Sequence, residues 1–220
     1  VGESGCGKTV HALSLLKILP SGGEITCGHI YFKNKDILSL SSEELRKLRG
    51  AKISMIFQDP MTSLNPIRTV GAQLTETILA HPKTSALRAQ ATAIRLLKKV
   101  GIPNAKERMK EYPFQFSGGQ RQRIMIAMAL CLHPDILIAD EPTTALDAAT
   151  QEIILELLKY YCDTYKTAIL FISHDLSLVA RLCDRVLVLK NGKVVERGTK
   201  DDIFYRPKQE YTKQLLSAAK

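Results

Sequence analysis

Eight consecutive residues near the start of the chain, Gly2-Glu3-Ser4-Gly5-Cys6-Gly7-Lys8-Thr9, have the composition and spacing of a phosphate cradle. They fit the pattern G-x-x-x-x-G-K-[ST]. Glycines let the backbone curl until successive N–H groups point inward at phosphate oxygens. The helix that follows offers its orphan N–H donors and the positive end of its dipole to the same anion. In that setting the Lys8 ammonium reaches the β- and γ-phosphates and the Thr9 hydroxyl ligates Mg²⁺. Alone, the pattern implies a nucleotide phosphate site without saying which nucleotide.

A second group lies far downstream, at Ile136-Leu137-Ile138-Ala139-Asp140-Glu141. Its apolar residues form a strand suited to burial on both faces, as in a parallel sheet. The strand end projects Asp140 toward a metal bridging the β- and γ-phosphates. Glu141 then stands next to the γ-phosphate, where a carboxylate orients or deprotonates an attacking water. A third group, Ser117-Gly118-Gly119-Gln120, precedes a helical run to about residue 132, and Ser117 can cap that helix. It supplies a second phosphate-binding helix start in one small chain.

The elements that must position these residues follow from periodicity and turn chemistry. Residues 2–9 read as a loop and 10–19 as the helix it opens. Residues 20–23 form a turn, 24–32 a strand and 34–36 another turn. Ser41 begins a short helix, with Glu44 completing a capping box. Residues 52–57 are β-rich and end at Gln58 and Asp59. A helical stretch at 68–132 contains periodic segments at 70–79, 85–100 and 120–132. The β-α alternation then resumes with a strand at 136–139, a helix at 149–161, a strand at 167–172 and a helix at 176–182. Residues 185–189 and 193–196 flank Asn191-Gly192, a hairpin signal because both residues tolerate positive φ. The tail, 200–220, is helical with a break at Pro207.

Composition bounds the rest. A chain of 220 residues can bury the core of one α/β domain, and 45% hydrophobic with 24% charged residues is ordinary for a globular protein. No apolar stretch is long enough to span a bilayer and no signal peptide is visible. The net charge of +9 comes from Lys and Arg spread along the chain, without the aromatic-basic interleaving of nucleic-acid readers. Cys6, Cys27, Cys131, Cys162 and Cys183 are odd in number and contain no C-x-x-C, which favours free thiols over disulfides or zinc. The chain opens on Val1 directly before the glycine-rich loop. Such a loop normally ends a strand, so further strands are expected upstream.

In combination, Ser117-Gly118-Gly119-Gln120 resembles the signature motif of ABC ATPases, written L-S-G-G-Q, with Phe116 in the first position. The resemblance covers essentially the whole chain. Gln58 falls at the family's Q-loop glutamine, a Mg²⁺ and water ligand. Ala145-Leu146-Asp147 resembles the D-loop. His174, followed by Asp175, resembles the switch histidine that holds the γ-phosphate and the water. The family pattern implies an α/β P-loop fold with a mostly parallel sheet. It also implies one ATPase domain over 1–220, with residues 68–132 as an inserted helical subdomain.

It further implies that two cassettes, identical or sibling, pair head to tail. ATP with Mg²⁺ then lies between residues 2–9 of one and Ser117–Gln120 of the other. Asp140, Glu141 and His174 act with the first, and Asp147 lines the seam. The adenine-stacking aromatic of the family lies upstream of such a loop, so no base-stacking residue is named for this chain.

Three stretches narrow the subfamily. Phe57-Gln58-Asp59-Pro60-Met61-Thr62-Ser63-Leu64-Asn65-Pro66 resembles the segment after the Q-loop in dipeptide, oligopeptide and nickel importers. Tyr112-Pro113-Phe114-Gln115-Phe116 is similar to the same group's approach to the signature. Ile203-Phe204-Tyr205-Arg206-Pro207, with Tyr211-Thr212 and Leu215-Leu216, matches its tail. The group's pattern implies a peripheral subunit on the cytoplasmic face of the cell membrane. Its partners would be a second ATPase, two integral membrane permeases and, indirectly, an extracellular substrate-binding protein, with no nucleic acid. The rivals are weaker. A ribosome- or DNA-acting ABC ATPase carries a second cassette or a long coiled coil, and the spacing from Lys8 to Ser117 leaves no room for one. A GTPase needs N-K-x-D, which Asn34-Lys35-Asp36 does not supply. A cassette that has lost catalysis would not keep Lys8, Asp140, Glu141 and His174.

Overall fold

The computed structural model describes residues 1–59, 63–80 and 84–218. The helices are α1 (Lys8–Leu15), α2 (Ser42–Leu48), α3 (Val70–Leu79), α4 (Ala86–Lys99), α5 (Ala105–Arg108), α6 (Gly118–Leu130), α7 (Ala148–Tyr165), α8 (Leu176–Leu182), α9 (Lys200–Tyr205) and α10 (Glu210–Ala218). The strands are β1 (Tyr31–Phe32), β2 (Lys35–Asp36), β3 (Ile53–Ile56), β4 (Ile136–Asp140), β5 (Ala168–Ile172), β6 (Arg185–Lys190) and β7 (Lys193–Thr199). The chain divides into two compact units, Val1–Leu45 with Phe171–Lys220, and Arg46–Leu170.

β3 and β4 of the second unit belong to a sheet of strand order β3-β4-β5. β3 and β4 run parallel, with Ile53 opposite Ile136 and Ile56 opposite Ala139. Every residue of β3 is buried, and Leu137, Ile138 and Ala139 of β4 are 0–1% exposed. This is the burial that a continuous apolar run demands, since helices cover such strands on both faces. α6 packs on β3, and α3, α4 and α6 pack on one another. α4 shows why: Ala89, Ala93, Leu96 and Leu97 form one buried stripe at helical spacing, and Ser85 caps the helix by accepting from the Arg88 N–H. Each leucine so buried stabilises the unit by roughly 1.5–3 kcal/mol.

In the first unit β6 and β7 form the antiparallel hairpin that Asn191-Gly192 predicts, with φ of 48° and 74° at those residues. Thr199 and Asp202 cap α9 reciprocally, and the break before α10 falls at Pro207. The Glu196 carboxylate of β7 accepts from the backbone N–H groups of Lys208 (2.8 Å) and Gln209 (3.1 Å), which fixes the approach to α10. Ser41 and Glu44 make the expected capping box before α2, with the Ser41 N–H 2.9 Å from Oε2.

One expected element is corrected. Residues 24–32 read as a strand, but only Tyr31–Phe32 is one, pairing with Lys35–Asp36 across Lys33 and Asn34, both at positive φ. β-propensity makes a strand only where a neighbour completes the ladder, and no ladder is assigned to 24–30 among the described residues. α1 also begins and ends earlier than residues 10–19, and α7 runs on to Tyr165, where Lys166 ends it in a left-handed conformation. None of the five cysteines is in a disulfide, and burial pushes the Cys131 thiol up to about 12. Among the described residues no helix is long and apolar enough to cross a membrane.

Candidate functional site

The glycine-rich loop lies in the first unit, seated on the C-terminal hairpin. The Val1 carbonyl accepts from the Leu189 N–H of β6 (2.9 Å), and the Cys6 carbonyl accepts from Gly192 (2.9 Å). Gly2, Gly5 and Gly7 all take positive φ, at 150°, 77° and 98°. Gly2 is the tightest point. A Cβ there would lie 2.3 Å from the Leu189 carbonyl oxygen and 2.8 Å from Cys6 Sγ. Gly2→Ala is therefore expected to cost about 2 kcal/mol or more, read as a lower urea midpoint at unchanged slope. An unchanged midpoint would show that the loop does not need this approach.

Gly7 is the N-cap of α1 and contributes no side chain, so the first-turn N–H groups are not capped by it. The Lys8 ammonium donates to the carbonyls of Gly2 and Glu3, each at 2.8 Å, and lies 3.8 Å from Cys6 Sγ. It thus spans the mouth of its own loop. Glu3 and Ser4 are exposed on the loop, and Thr9 opens the second position of α1. From the far end of the chain, the Tyr211 hydroxyl of α10 accepts from the Glu3 N–H (3.3 Å), and Lys190 Nζ sits 4.4 Å from the Tyr211 ring centre. The tail segment with Tyr211 therefore braces the glycine-rich loop.

His174 belongs to the same unit, exposed in the bend between β5 and α8. Its neighbours fix that bend. Asp175 caps α8, accepting from the Ser177 N–H and hydroxyl (2.9 and 2.6 Å), while its own N–H donates to Ser173 Oγ (2.9 Å). The Ser177 hydroxyl bond holds the Asp175 carboxyl below its usual range.

In the second unit Gln58 follows β3 and Glu141 follows β4, and the parallel register brings them together. Gln58 Nε2 lies 3.5 Å from Glu141 Oε2. Asp140 closes β4 at 1% exposure, and Glu141 adopts φ 47°, unusual for a residue with a side chain. Thr144 Oγ1 donates to the Glu141 carbonyl (2.9 Å) and lies 3.3 Å from its carboxylate. A buried carboxylate at a strand end, together with hydroxyl and carboxamide oxygens, is donor chemistry for a hard cation such as Mg²⁺. Among the described residues no group of three His, Cys, Asp or Glu side chains forms a protein-only metal site.

Ser117 caps α6 as expected. Its hydroxyl accepts from the Gln120 N–H (3.3 Å), and Gln120 Oε1 accepts from the Ser117 N–H (3.1 Å), so Ser117 and Gln120 form a capping box around Gly118 and Gly119. Phe116 is buried at 3%, with the Arg108 guanidinium 4.1 Å from its ring centre. Asp147 caps α7, accepting from Thr150 N–H (2.9 Å) and Oγ1 (2.8 Å); the backbone bond, then the hydroxyl, holds its carboxyl below the usual range. Pro60, Met61 and Thr62 of the segment 57–66 lie outside the described residues.

Three residues carry weight that the motifs do not announce: Arg108 under Phe116, Gln122 beneath Glu141, and Tyr211 against Glu3. Gln122 stands among Gln120, Arg121 and Arg123, so nothing in its sequence setting marks it as buried. Arg108 and Tyr211 likewise carry no such mark.

The sequence profile of the family described as ABC transporter matches residues 1–144. Over 219 residues the chain is 55% identical to the dipeptide transport ATP-binding protein DppD of Bacillus subtilis, covering 99% of this chain and 65% of that protein. It is 50% identical over 218 residues to the oligopeptide transport ATP-binding protein OppD of Escherichia coli, covering 99% of this chain and 64% of that one. The chain thus spans somewhat under two thirds of these relatives. Among solved structures, a bacterial ABC transporter cassette determined as a dimer is similar with a TM-score of 0.78 at 32% identity, covering 90% of this chain and 83% of that one. A post-hydrolysis ATP-binding cassette dimer bound to ADP and Pi is similar with a TM-score of 0.78 at 31% identity, with the same coverage of 90% and 83%.

Proposed function

Because this chain belongs to the ABC transporter family, we propose that it is the ATP-hydrolysing subunit of an importer for peptides, with nickel as the alternative cargo. What supports this most is the pairing of Gln58 with Glu141, 3.5 Å apart, directly beyond the buried carboxylate of Asp140. A water-orienting amide and a general base at one point are what hydrolysis of a phosphoanhydride requires. Identity of 46–55% to proteins named for dipeptide and oligopeptide transport supports the cargo class.

In this reading residues 2–9 bind the ATP phosphates, with Lys8 moving its ammonium from the Gly2 and Glu3 carbonyls to phosphate oxygens. Thr9, Asp140 and Gln58 hold Mg²⁺, which neutralises charge on the phosphates when bound. Glu141 takes a proton from water, and His174 holds that water and the terminal phosphate in line. Ser117, Gly118, Gly119 and Gln120 meet the nucleotide of a second cassette, and Asp147 lies on that seam. The stretch 68–132 is the helical subdomain of a single ATPase domain. The chain works on the cytoplasmic side of two permeases, fed by an extracellular binding protein.

The test is reconstitution. The full-length protein, co-expressed with its genomic neighbours, is expected to copurify with two membrane subunits and to hydrolyse ATP faster when peptide-loaded binding protein is present. Stimulation by Ni²⁺ instead would move the cargo to metal. Copurification with ribosomes or DNA, and ATP turnover indifferent to both cargoes, would refute the importer reading.

A further inference from the structure

Gln122 is a fully buried carboxamide, 0% exposed, in the second turn of α6. Burying an amide is costly unless both ends are bonded, and both ends of this one meet backbone. Its Nε2 donates to the Glu141 carbonyl at 3.3 Å, and its Oε1 accepts from the Ala145 N–H at 3.1 Å. One side chain therefore staples the first and fifth residues of the 141–145 loop. A second contact ties the same helix to the same loop: a Cβ on Gly119 would come within 3.0 Å of the Ala145 carbonyl oxygen and 3.4 Å of Leu146 Cδ2. The α6 start thus lies directly on the loop, and only glycine permits that approach without displacement.

Glu141 is the residue that needs holding. Its φ of 47° costs a residue with a Cβ about 1–2 kcal/mol, and such a conformation persists only where its surroundings over-determine it. The Thr144 hydroxyl and Gln122 both donate to its carbonyl. Of these, only Gln122 comes from another element.

We infer that Gln122 is a positioning residue for Glu141. Its carboxamide locks the peptide that aims the Glu141 carboxylate to the helix that begins at Ser117. This rests on the reading above, in which Ser117–Gln120 meets one nucleotide and Glu141 acts at another. Gln122 then makes engagement of the helix start and placement of the base a single event within one chain.

Two variants of the full-length protein in its assembled transporter test this. Gln122→Met removes both bonds at similar volume. Gln122→Glu keeps the acceptor for Ala145 and loses the donor to Glu141. For Gln122→Met, kcat is expected to fall about 10–100-fold, the scale of a misplaced reacting group, with KM and equilibrium ATP affinity within about threefold. Amide hydrogen exchange in the 141–147 peptide should accelerate in both variants, because each loses the donor to the Glu141 carbonyl, and kcat should fall in both. Should Gln122→Met fail to fold, Gln122→Glu decides by the same split of kcat from KM. Parental kcat in the variants that fold, or kcat and ATP affinity lost together, would overturn the inference. Its failure is separable from failure of the parent reading: in the first case Glu141→Gln is inactive while the Gln122 variants turn over normally, and in the second Glu141→Gln itself turns over normally.

Discussion

Glu141→Gln is expected to bind ATP as the parent protein does and to lose turnover on the order of 10²-fold or more, as for removal of a general base. The surroundings of Glu141 make this a clean substitution. Glutamine has the same shape and tolerates the same backbone, so φ of 47° gains no new strain from the change. Its carboxamide oxygen still accepts from Gln58 Nε2, and the backbone bonds to Thr144 and Gln122 involve the carbonyl, which is untouched. What disappears is the basic oxygen. Single-turnover and steady-state measurements on the assembled dimer check this, with an equilibrium ATP titration alongside. Turnover within about threefold of the parent would remove Glu141 from the role of base and leave water activation to another group.

The second large effect falls on binding rather than on chemistry. Lys8→Ala is expected to weaken equilibrium ATP affinity by roughly 10–100-fold, since a hydrogen bond to a charged group contributes about 1.5–3 kcal/mol. A consequence for the free protein follows from the geometry. Lys8 holds the Gly2 and Glu3 carbonyls at 2.8 Å each, so its loss also releases the mouth of the loop. Thermal melts of the nucleotide-free protein should fall only slightly, because the bond to Glu3 is exposed and the bond to Gly2 only partly buried. A fixed ATP concentration should raise the melting temperature of the parent more than that of the variant, as expected for a ligand that binds only the folded state. Lys8→Arg is not a rescue, because a planar guanidinium cannot take the place of a compact ammonium between two carbonyls. Parental affinity in Lys8→Ala would mean that the loop amides and the α1 start carry the phosphates without it.

These expectations rest on residues of different legibility. Gly2–Thr9, Asp140, Glu141 and Ser117–Gln120 are readable because their chemistry is local. A phosphate loop needs glycines at fixed offsets, and an N-cap needs a hydroxyl three residues before the N–H it accepts. A hairpin with two positive-φ positions needs Asn-Gly or its like, and a strand covered on both faces needs an uninterrupted apolar run. The caps at Ser41 and Ser117 and the turn at Asn191-Gly192 follow from nearest-neighbour chemistry and lie where that chemistry puts them.

What the sequence determined by itself is therefore the short elements, their caps and turns, and the residue types they present. Which of those groups touch was decided only by the tertiary structure. Gln58 and Glu141 are separated by 83 positions and Glu3 and Tyr211 by 208, and Gln122 meets Glu141 only because α6 packs beside the strands. Residues 24–30 have the propensity of a strand and no ladder among the described residues, because pairing is a property of a neighbour and not of the segment itself. Side-chain period and turn type are set within a few bonds of each residue, whereas register and helix seating are set by burial summed over the whole chain, which no local pattern encodes.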